Sequence, residues 1–407
     1  MKVTFEKEKL LQAIVPAASI SQVKNTLTSV EGLLFECPAD EKRGKVEEDE
    51  KGLTRISAYD LEKGLRTTVE CKIFEEGSYV INASSILQIV RVMPDGEITL
   101  EVDDKMRATI SGGQASFEIS VSDGDEFPAM PMFIGERHYT FPQYVLRNLI
   151  GGIIFAVAQN DQRPFLNGAL MKVEGGKITL VGCDGNRLSL ASWELEEEAP
   201  DAEVIIPGKF LSELARLLHD SEEEVTVIIG RKHIIFKLGE IYFFTRVIES
   251  QYLAYEKILQ NKTFNTEAYV SPAELRDALD RAAIISEDKL GGNNRSIVQM
   301  RFEGREIDIS CVSSRGSNRG RVIAAIGGAG LTIGFTGRLL LDALKAIPEK
   351  EERIRLRMIS DEQGMFIESG EGSSFMTFVG EQPREKKDGE KFDYLHYVMP
   401  RRLINRV

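Results

Sequence analysis

The cysteine and histidine side chains, which can act as nucleophiles, bases or metal ligands, are few and widely separated in this sequence. They are Cys37, Cys71, Cys183, Cys311, His138, His219, His233 and His396. No two histidines have the spacing of metal ligands, and the cysteines form no Cys-x-x-Cys pair. A Ser–His or Cys–His nucleophile also needs a base within reach and a third orienting group, and no such spacing is recognisable. The sequence therefore predicts no catalytic residue, no metal site and no cofactor, with the thiols reduced.

The C-terminus is the most unusual part of the chain. Chain ends are commonly frayed and polar, yet this one reads HYVMPRRLINRV over residues 396–407. Tyr397, Val398, Met399 and Pro400 form an apolar group that two arginines follow. Such a group needs a partner, either the protein's own core or another molecule.

Composition sets limits on the class of protein. The chain has 407 residues, of which 42% are hydrophobic and 28% are charged, and a net charge of −13. Its longest apolar run, residues 149–158, is too short to span a membrane and contains glycines. The N-terminus lacks the pattern of a signal peptide, so we expect a cytoplasmic protein without a membrane partner. The acidic balance argues against general nucleic-acid binding unless positive charge is segregated onto one surface.

The elements that must position these residues occur three times. A strand, a polar break and a helix with one apolar stripe begin at Val80, Val204 and Ile333. A second strand–helix element begins at Val3, Tyr139 and Ala268, so that its copies lie roughly 130 residues apart. This regularity predicts three similar domains.

Two linker-like stretches place the domain boundaries. EFPAMP at 126–131 and ILQNKTFNTEAY at 258–269 separate the repeats, which gives domains 1–130, 131–262 and 263–407. Meandering, alternating strands with glycine-containing turns surround two helices in each domain. The predicted fold class is α+β, with two helices packed on antiparallel sheets per domain.

Several motifs resemble one family, that of the bacterial DNA polymerase III beta subunit, the sliding clamp. They are MKVTFEKEKLL at the start, NDQRPFLNGAL at 160–170, CDGNRLSLA at 183–191 and YVMPRRL at 397–403. Together with the triple repeat, they extend the resemblance over nearly the whole chain.

The resemblance implies three tandem clamp domains and a head-to-tail homodimer, which forms a six-domain ring around double-stranded DNA. Such a ring binds DNA without regard to sequence and has no catalytic activity. It tethers the replicative polymerase subunit, and the clamp loader and other clamp-motif proteins use the same docking surface.

The docking surface implied by the resemblance is a hydrophobic groove between the second and third domains. An extended peptide needs such a preformed apolar slot because it loses conformational entropy on binding. In this scheme Met399 is an adaptable lining residue, and Arg187 and Arg402 can bind peptide carbonyls or acidic side chains. The alternative is that Val398 and Met399 simply close the sheet of the third domain. The matching positions are Leu166, Cys183, Gly185, Asn186, Arg187, Leu188, Leu253, Lys257, Ile258, Tyr397, Val398, Met399, Pro400, Arg401, Arg402 and Leu403.

The resemblance also implies DNA contacts and a dimer seam. The DNA-binding positions are Lys24, Asn160, Arg163 and Phe165, although Phe165 could equally pack in the core. The seam positions are Phe117 and Ile119 on an edge strand and, opposite them, Ile284 and Ile285. All four seam residues could instead belong to the cores of their domains.

Other interpretations and departures accompany this one. An accessory or divergent clamp-like scaffold, which binds peptides without a main replicative role, would have a similar sequence. A charged insert at 38–52 has the composition of a flexible hairpin tip, and residues 404–407 extend past the usual family end.

Overall fold

The computed structural model of the chain describes most of the sequence. The described residues are 1–21, 28–37, 51–131, 135, 137–196, 199–260, 262–286, 297–370, 372, 373, 375 and 391–403. Three expectations from the sequence fall outside them. These are the DNA contact of Lys24, residues 38–50 of the predicted 38–52 insert, and the extension at 404–407.

The described residues form seven α-helices and 25 strands, together with short 3-10 turns. The helices are α1 (Lys7–Ile20), α2 (Ala83–Val92), α3 (Gln143–Ile153), α4 (Gly208–Leu217), α5 (Glu256–Leu259), α6 (Pro272–Ser286) and α7 (Gly337–Lys345). The first strands are β1 (Lys2–Glu6), β2 (Gly32–Cys37), β3 (Lys51–Tyr59), β4 (Lys63–Glu75), β5 (Gly77–Asn82), β6 (Glu97–Val102), β7 (Arg107–Gly112), β8 (Ala115–Ser120), β9 (Ser122–Asp123), β10 (Arg137–Pro142), β11 (Gly168–Glu174), β12 (Lys177–Cys183) and β13 (Arg187–Glu194). The remaining strands are β14 (Ala202–Pro207), β15 (Glu224–Ile229), β16 (His233–Leu238), β17 (Ile241–Arg246), β18 (Thr266–Val270), β19 (Val298–Glu303), β20 (Glu306–Ser313), β21 (Gly316–Gly328), β22 (Leu331–Phe335), β23 (Ile354–Met358), β24 (Met365–Ser369) and β25 (Phe392–Val398).

The predicted triplication is confirmed by the element order. A strand leads directly into a helix at β1–α1, β10–α3 and β18–α6, and again at β5–α2, β14–α4 and β22–α7. Each helix of the second set buries the apolar stripe that the sequence predicted, such as Leu340, Leu341 and Leu344 on α7. None of the helices in the described ranges combines the length and apolar character of a bilayer span.

The chain divides into two compact units. The first comprises Met1–Gln143 and Ser221–Val247. Its described strands form one antiparallel sheet with the order β10-β15-β16-β17-β4-β1-β6-β7-β8, to which β2, β3, β5 and β9 are joined off this path. Strand β8 ends the path and is therefore an edge strand, as the sequence predicted.

The second unit comprises Tyr144–Asp220 and Ile248–Val407. Its described strands form one sheet with the order β14-β11-β12-β13-β25-β24-β23-β18-β21-β20-β19-β22. Strands β13 and β25 pair antiparallel, so the sheet of the second domain continues into that of the third. This pairing brings the C-terminal strand beside the CDGNRLSLA motif.

Candidate functional site

A tight turn over residues 184–187 joins β12 to β13 in the second unit. The carboxylate Oδ1 of Asp184 accepts the backbone N–H groups of Asn186 at 2.8 Å and of Arg187 at 3.1 Å. Gly185 has a φ of +85°, a left-handed conformation that glycine adopts without strain. The residue types Asp, Gly, Asn and Arg therefore fold this stretch into a fixed turn, with Gly185 and Asn186 exposed.

The C-terminal strand runs alongside this turn. In the ladder between β13 and β25, Arg187 lies opposite Val398. The next residue, Met399, donates its backbone N–H to the carbonyl of Asn186 at 2.9 Å. The Met399 side chain is 41% exposed. The chain end is thus held against the second domain while this apolar side chain faces solvent.

Residues 399–403 continue past β25 as a segment that we call the C-terminal strap. Arg401 donates its backbone N–H to the carbonyl of Gly334 on β22 at 2.7 Å. A Cβ atom on Gly334 would lie 2.7 Å from Cδ2 of Leu403 and 2.9 Å from the carbonyl oxygen of Arg401. The strap therefore lies directly on a strand that has no side chain at the point of contact. Arg401 and Arg402 are exposed, whereas Pro400 and Leu403 are half-buried.

An apolar cluster lies around strands β12, β13 and β25. Its buried members include three predicted groove residues, and burial raises the pKa of the Cys183 thiol, which keeps it protonated and apolar. Lys257 lies beside the cluster on α5 and is exposed. The structure thus brings most of the predicted apolar lining together. We define the apolar cluster as the buried residues Leu166, Cys183, Leu188, Tyr252 and Tyr255 with the half-buried residues Phe165, Leu253, Ile258 and Tyr397.

Two aromatic pairs fix the shape of the apolar cluster. The Tyr252 hydroxyl donates to the carbonyl of Val181 at 3.1 Å, and its ring packs edge-on against Phe165 at 6.0 Å. The Tyr397 hydroxyl accepts the backbone N–H of Gly364 at 2.9 Å, and its ring packs on Phe366 at 4.6 Å. Each tyrosine ring is therefore oriented by a hydrogen bond at its hydroxyl, and each phenylalanine ring packs against one of them.

Two of the predicted groove residues, Val398 and Arg187, have side chains that lie inside the protein and do not line the groove surface. Val398 is fully buried in the core of the third domain, so it closes the sheet and has no surface for a peptide. Arg187 is only 9% exposed, and its guanidinium binds inside the molecule to Asp184 and Asp342. The sequence could not distinguish these roles, because each depends on elements far away along the chain.

Several lining residues were not predicted from the sequence. Tyr252 and Tyr255 are buried in the apolar cluster, and the buried Phe366 on β24 packs against its member Tyr397. The spacing of Tyr252, Tyr255 and Leu259 in QYLAYEKIL could have indicated their burial, because steps of three and four residues place side chains on one face of a helical turn. Gly334 gave no such signal, since its importance comes from the strap that lies on it.

Three of the four predicted DNA contacts lie in one loop of the second domain. Asn160 is exposed with a φ of +61°. Arg163 is exposed and pairs with Asp161 at 2.9 Å, and this hydrogen bond lowers the pKa of Asp161 to about 2. Phe165 packs in the apolar cluster instead of projecting into solvent, which is the core alternative for this residue.

The predicted seam residues lie on two elements, strand β8 of the first unit and helix α6 of the second. Phe117 is 38% exposed and Ile119 is half-buried, both on the edge strand β8. Ile284 is 71% exposed near the end of α6, whereas Ile285 is half-buried against the core of the third domain. Within the described part of the chain, Phe117 and Ile284 are therefore apolar side chains that remain exposed.

A Ser–His pair does exist, but its position excludes nucleophilic chemistry. Ser189 Oγ lies 2.7 Å from Nδ1 of His396 and donates to the carbonyl of Gly152 at 2.6 Å. Ser189 and His396 are at most 1% exposed, so no substrate can reach them. This pair is a structural element that links β13 to β25.

Comparisons with known proteins agree with this architecture. Three family models match in order: the N-terminal domain of the DNA polymerase III beta subunit over residues 1–131, the central domain over 140–253 and the C-terminal domain over 259–379. Curated relatives include the beta sliding clamp of Bacillus subtilis, which is 28% identical over 360 residues that cover 87% of this chain and 92% of the relative.

Solved structures give the same result. A crystal structure of a DNA polymerase III beta subunit from Eubacterium rectale superposes with a TM-score of 0.86 at 25% identity, covering 99% of this chain and 100% of that one. The DNA polymerase III subunit beta of Pseudomonas aeruginosa superposes with a TM-score of 0.83 at 25% identity, with the same coverage.

Three consecutive clamp domains, joined through continuous antiparallel sheets, define a DNA sliding clamp. The chain belongs to the DNA polymerase III beta subunit family. Its function is that of a non-catalytic processivity factor in DNA replication.

Proposed function

We propose that two copies of this chain close head to tail into a ring around duplex DNA, and that partner proteins dock on the apolar cluster and the C-terminal strap. The proposed domains span 1–130, 131–262 and 263–407. The observation that carries the docking proposal is the exposed Met399 side chain, held by a backbone hydrogen bond to Asn186 beside the apolar cluster. As a replication factor without a membrane partner, the protein would act in the cytoplasm.

The proposed groove suits a short extended peptide with apolar anchors. Leu253, Ile258 and Tyr397 are half-buried and can lose further surface to a ligand. The buried residues beneath them are fixed by packing, so binding would require little reordering of the protein. Lys257, next to Ile258 on α5, and Arg402, in the strap, are exposed and would favour acidic flanks in the peptide. The expected partners are the replicative polymerase subunit, the clamp loader and other proteins with a clamp-binding motif.

The proposed contact with DNA is weak and independent of sequence. Asn160 and Arg163 are exposed, and Arg163 already has a carboxylate partner in Asp161. Lys24 would add a further phosphate contact. A sliding protein needs few phosphate contacts and no base contacts, because base-edge hydrogen bonds would fix it at one sequence.

Retention on DNA tests the ring. The protein is loaded by its clamp loader onto nicked circular DNA, isolated by gel filtration, and the DNA is then cut once with a restriction enzyme. We expect the clamp to stay on the circle and to be lost from the linear product. Equal retention on both DNAs would exclude encirclement and indicate direct DNA binding instead. No retention on the circle would also exclude encirclement and would favour a scaffold that only binds peptides.

A further inference from the structure

Arg187 connects three parts of the second unit. Its Nε donates to Oδ2 of Asp184 at 2.9 Å within the turn, and its Nη2 donates to the carbonyl of Phe155 in the segment after α3. Its Nη1 donates to Oδ2 of Asp342 at 2.9 Å and to the carbonyl of Leu339 at 3.3 Å, both on α7. The guanidinium also lies over the Phe155 ring at 5.0 Å.

These contacts leave Arg187 little capacity to bind a ligand. A guanidinium has five N–H donors, and the described contacts occupy four of them. With only 9% of its surface exposed, the Arg187 side chain offers little area to a ligand. Arg187 therefore acts on the groove through the residues that it holds in place.

Asp342 supplies the charged contact that comes from the third domain. The Asp184 contact is local to the turn and cannot fix the turn relative to α7. Helix α7 is itself rigidly placed, because Leu340, Leu341 and Leu344 are buried in the core of the third domain. A carboxylate on this helix fixes the guanidinium by a charge-assisted hydrogen bond, and with it the turn.

We infer that Asp342 is a positioning residue for the peptide groove: through Arg187 it holds the 184–187 turn where the carbonyl of Asn186 receives the Met399 amide. This inference rests on the proposed docking function. The chain of contacts runs from Asp342 to Arg187, then through the turn to Asn186, and ends at the exposed Met399. Loss of the carboxylate would loosen the turn and the first residue of the strap without removing any side chain that touches the peptide.

The test uses Asp342→Asn in the full-length protein. The probe is a fluorescein-labelled peptide from the clamp-binding segment of the replicative polymerase subunit, titrated by fluorescence anisotropy. We expect affinity about tenfold weaker, as for loss of a charge-assisted hydrogen bond that orders the site. Asp342→Glu, which retains the carboxylate, should recover part of this loss. The matched control Asp277→Asn removes an exposed carboxylate on α6 and should leave the affinity unchanged.

Hydrogen exchange separates positioning from general destabilisation. The Met399 amide should exchange faster in Asp342→Asn, at a thermal midpoint close to that of the parent protein. If Asp342→Asn folds poorly, Arg187→Lys provides the second variant, since it keeps the charge and loses the forked geometry; it should show the same two effects. Parent-like peptide affinity or unchanged Met399 exchange in the folded variant would overturn the inference and leave the groove intact. A parent protein that does not bind the peptide would instead overturn the proposed function.

Discussion

The backbone N–H of Met399 lies 2.9 Å from the carbonyl oxygen of Asn186 and donates a hydrogen bond to it. This bond joins the end of the third domain to a turn of the second. Two residues later, the backbone N–H of Arg401 donates to the carbonyl of Gly334, so the strap is held at its first and third residues. In the proposed complex, the strap and the 184–187 turn would already be ordered before a peptide binds, so they would lose little conformational entropy on binding.

Gly334→Ala should displace the strap. The new Cβ would lie 2.7 Å from Leu403 and 2.9 Å from the Arg401 carbonyl, distances that force a shift. We expect peptide affinity to fall by about tenfold or more, equivalent to about 1.4 kcal/mol, and exchange of the 399–403 amides to quicken. The measurement is calorimetric titration together with hydrogen exchange.

A second glycine provides the control for that variant. No heavy atom of the described residues lies within 4 Å of the Cβ that an alanine would add at Gly327 on β21, so Gly327→Ala should leave both readouts unchanged. If Gly334→Ala binds the peptide as well as Gly327→Ala does, the strap is not part of the binding surface.

Met399→Asp should abolish peptide binding while the dimer survives. The side chain is already 41% exposed, so the folded state tolerates a carboxylate there. A bound apolar peptide would have to desolvate that charge, which is costly without a partner. Anisotropy titration gives the affinity, and sedimentation velocity gives the mass. Val92→Asp changes another exposed apolar residue and should bind normally; unchanged affinity in Met399→Asp would remove this residue from the groove.

Phe117→Asp should convert the dimer to a monomer. The residue lies on the edge strand β8, where a ring closure would bury it against a second copy. Phe74→Asp on β4 is the matched control, since Phe74 is 48% exposed on the same sheet. Sedimentation equilibrium should give half the mass for Phe117→Asp alone. A dimer that persists in Phe117→Asp, and also in Ile284→Asp, would place the seam elsewhere.

The repeated helices were predictable because their apolar stripes are local patterns. Leu340, Leu341 and Leu344 lie at helical spacing and are buried as predicted. The functions of Val398 and Arg187 were not predictable in the same way. Adjacent residues of a strand face opposite sides of a sheet, and the sequence does not state the register that buries Val398 and exposes Met399. Asp342 lies 155 residues from Arg187, a separation at which sequence patterns carry no contact information.

His396 should make stability fall as the pH is lowered. It is fully buried between the Phe155 and Tyr394 rings, and burial, assisted by the charge of Arg187, lowers its pKa to about 3. The unfolded chain has an ordinary histidine pKa of about 6.5. Between pH 6.5 and pH 3, unfolding therefore takes up a proton at His396. Above pH 6.5 this group does not reduce the free energy of unfolding, and below pH 6.5 that free energy falls progressively towards pH 3.

The test compares free energies of unfolding in urea at pH 7 and pH 5. His396→Phe keeps a ring between its neighbours, and Ser189 still donates to the carbonyl of Gly152. Between pH 7 and pH 5 the free energy of unfolding of His396→Phe should fall by about 2 kcal/mol less than that of the parent. The figure follows because protonation of one histidine on unfolding costs roughly 1.4 kcal/mol per pH unit below pH 6.5. His138→Gln, which changes an exposed histidine, should keep the parent's pH dependence. Equal pH dependence in His396→Phe and the parent would mean that His396 accepts a proton in the folded protein, contrary to its burial.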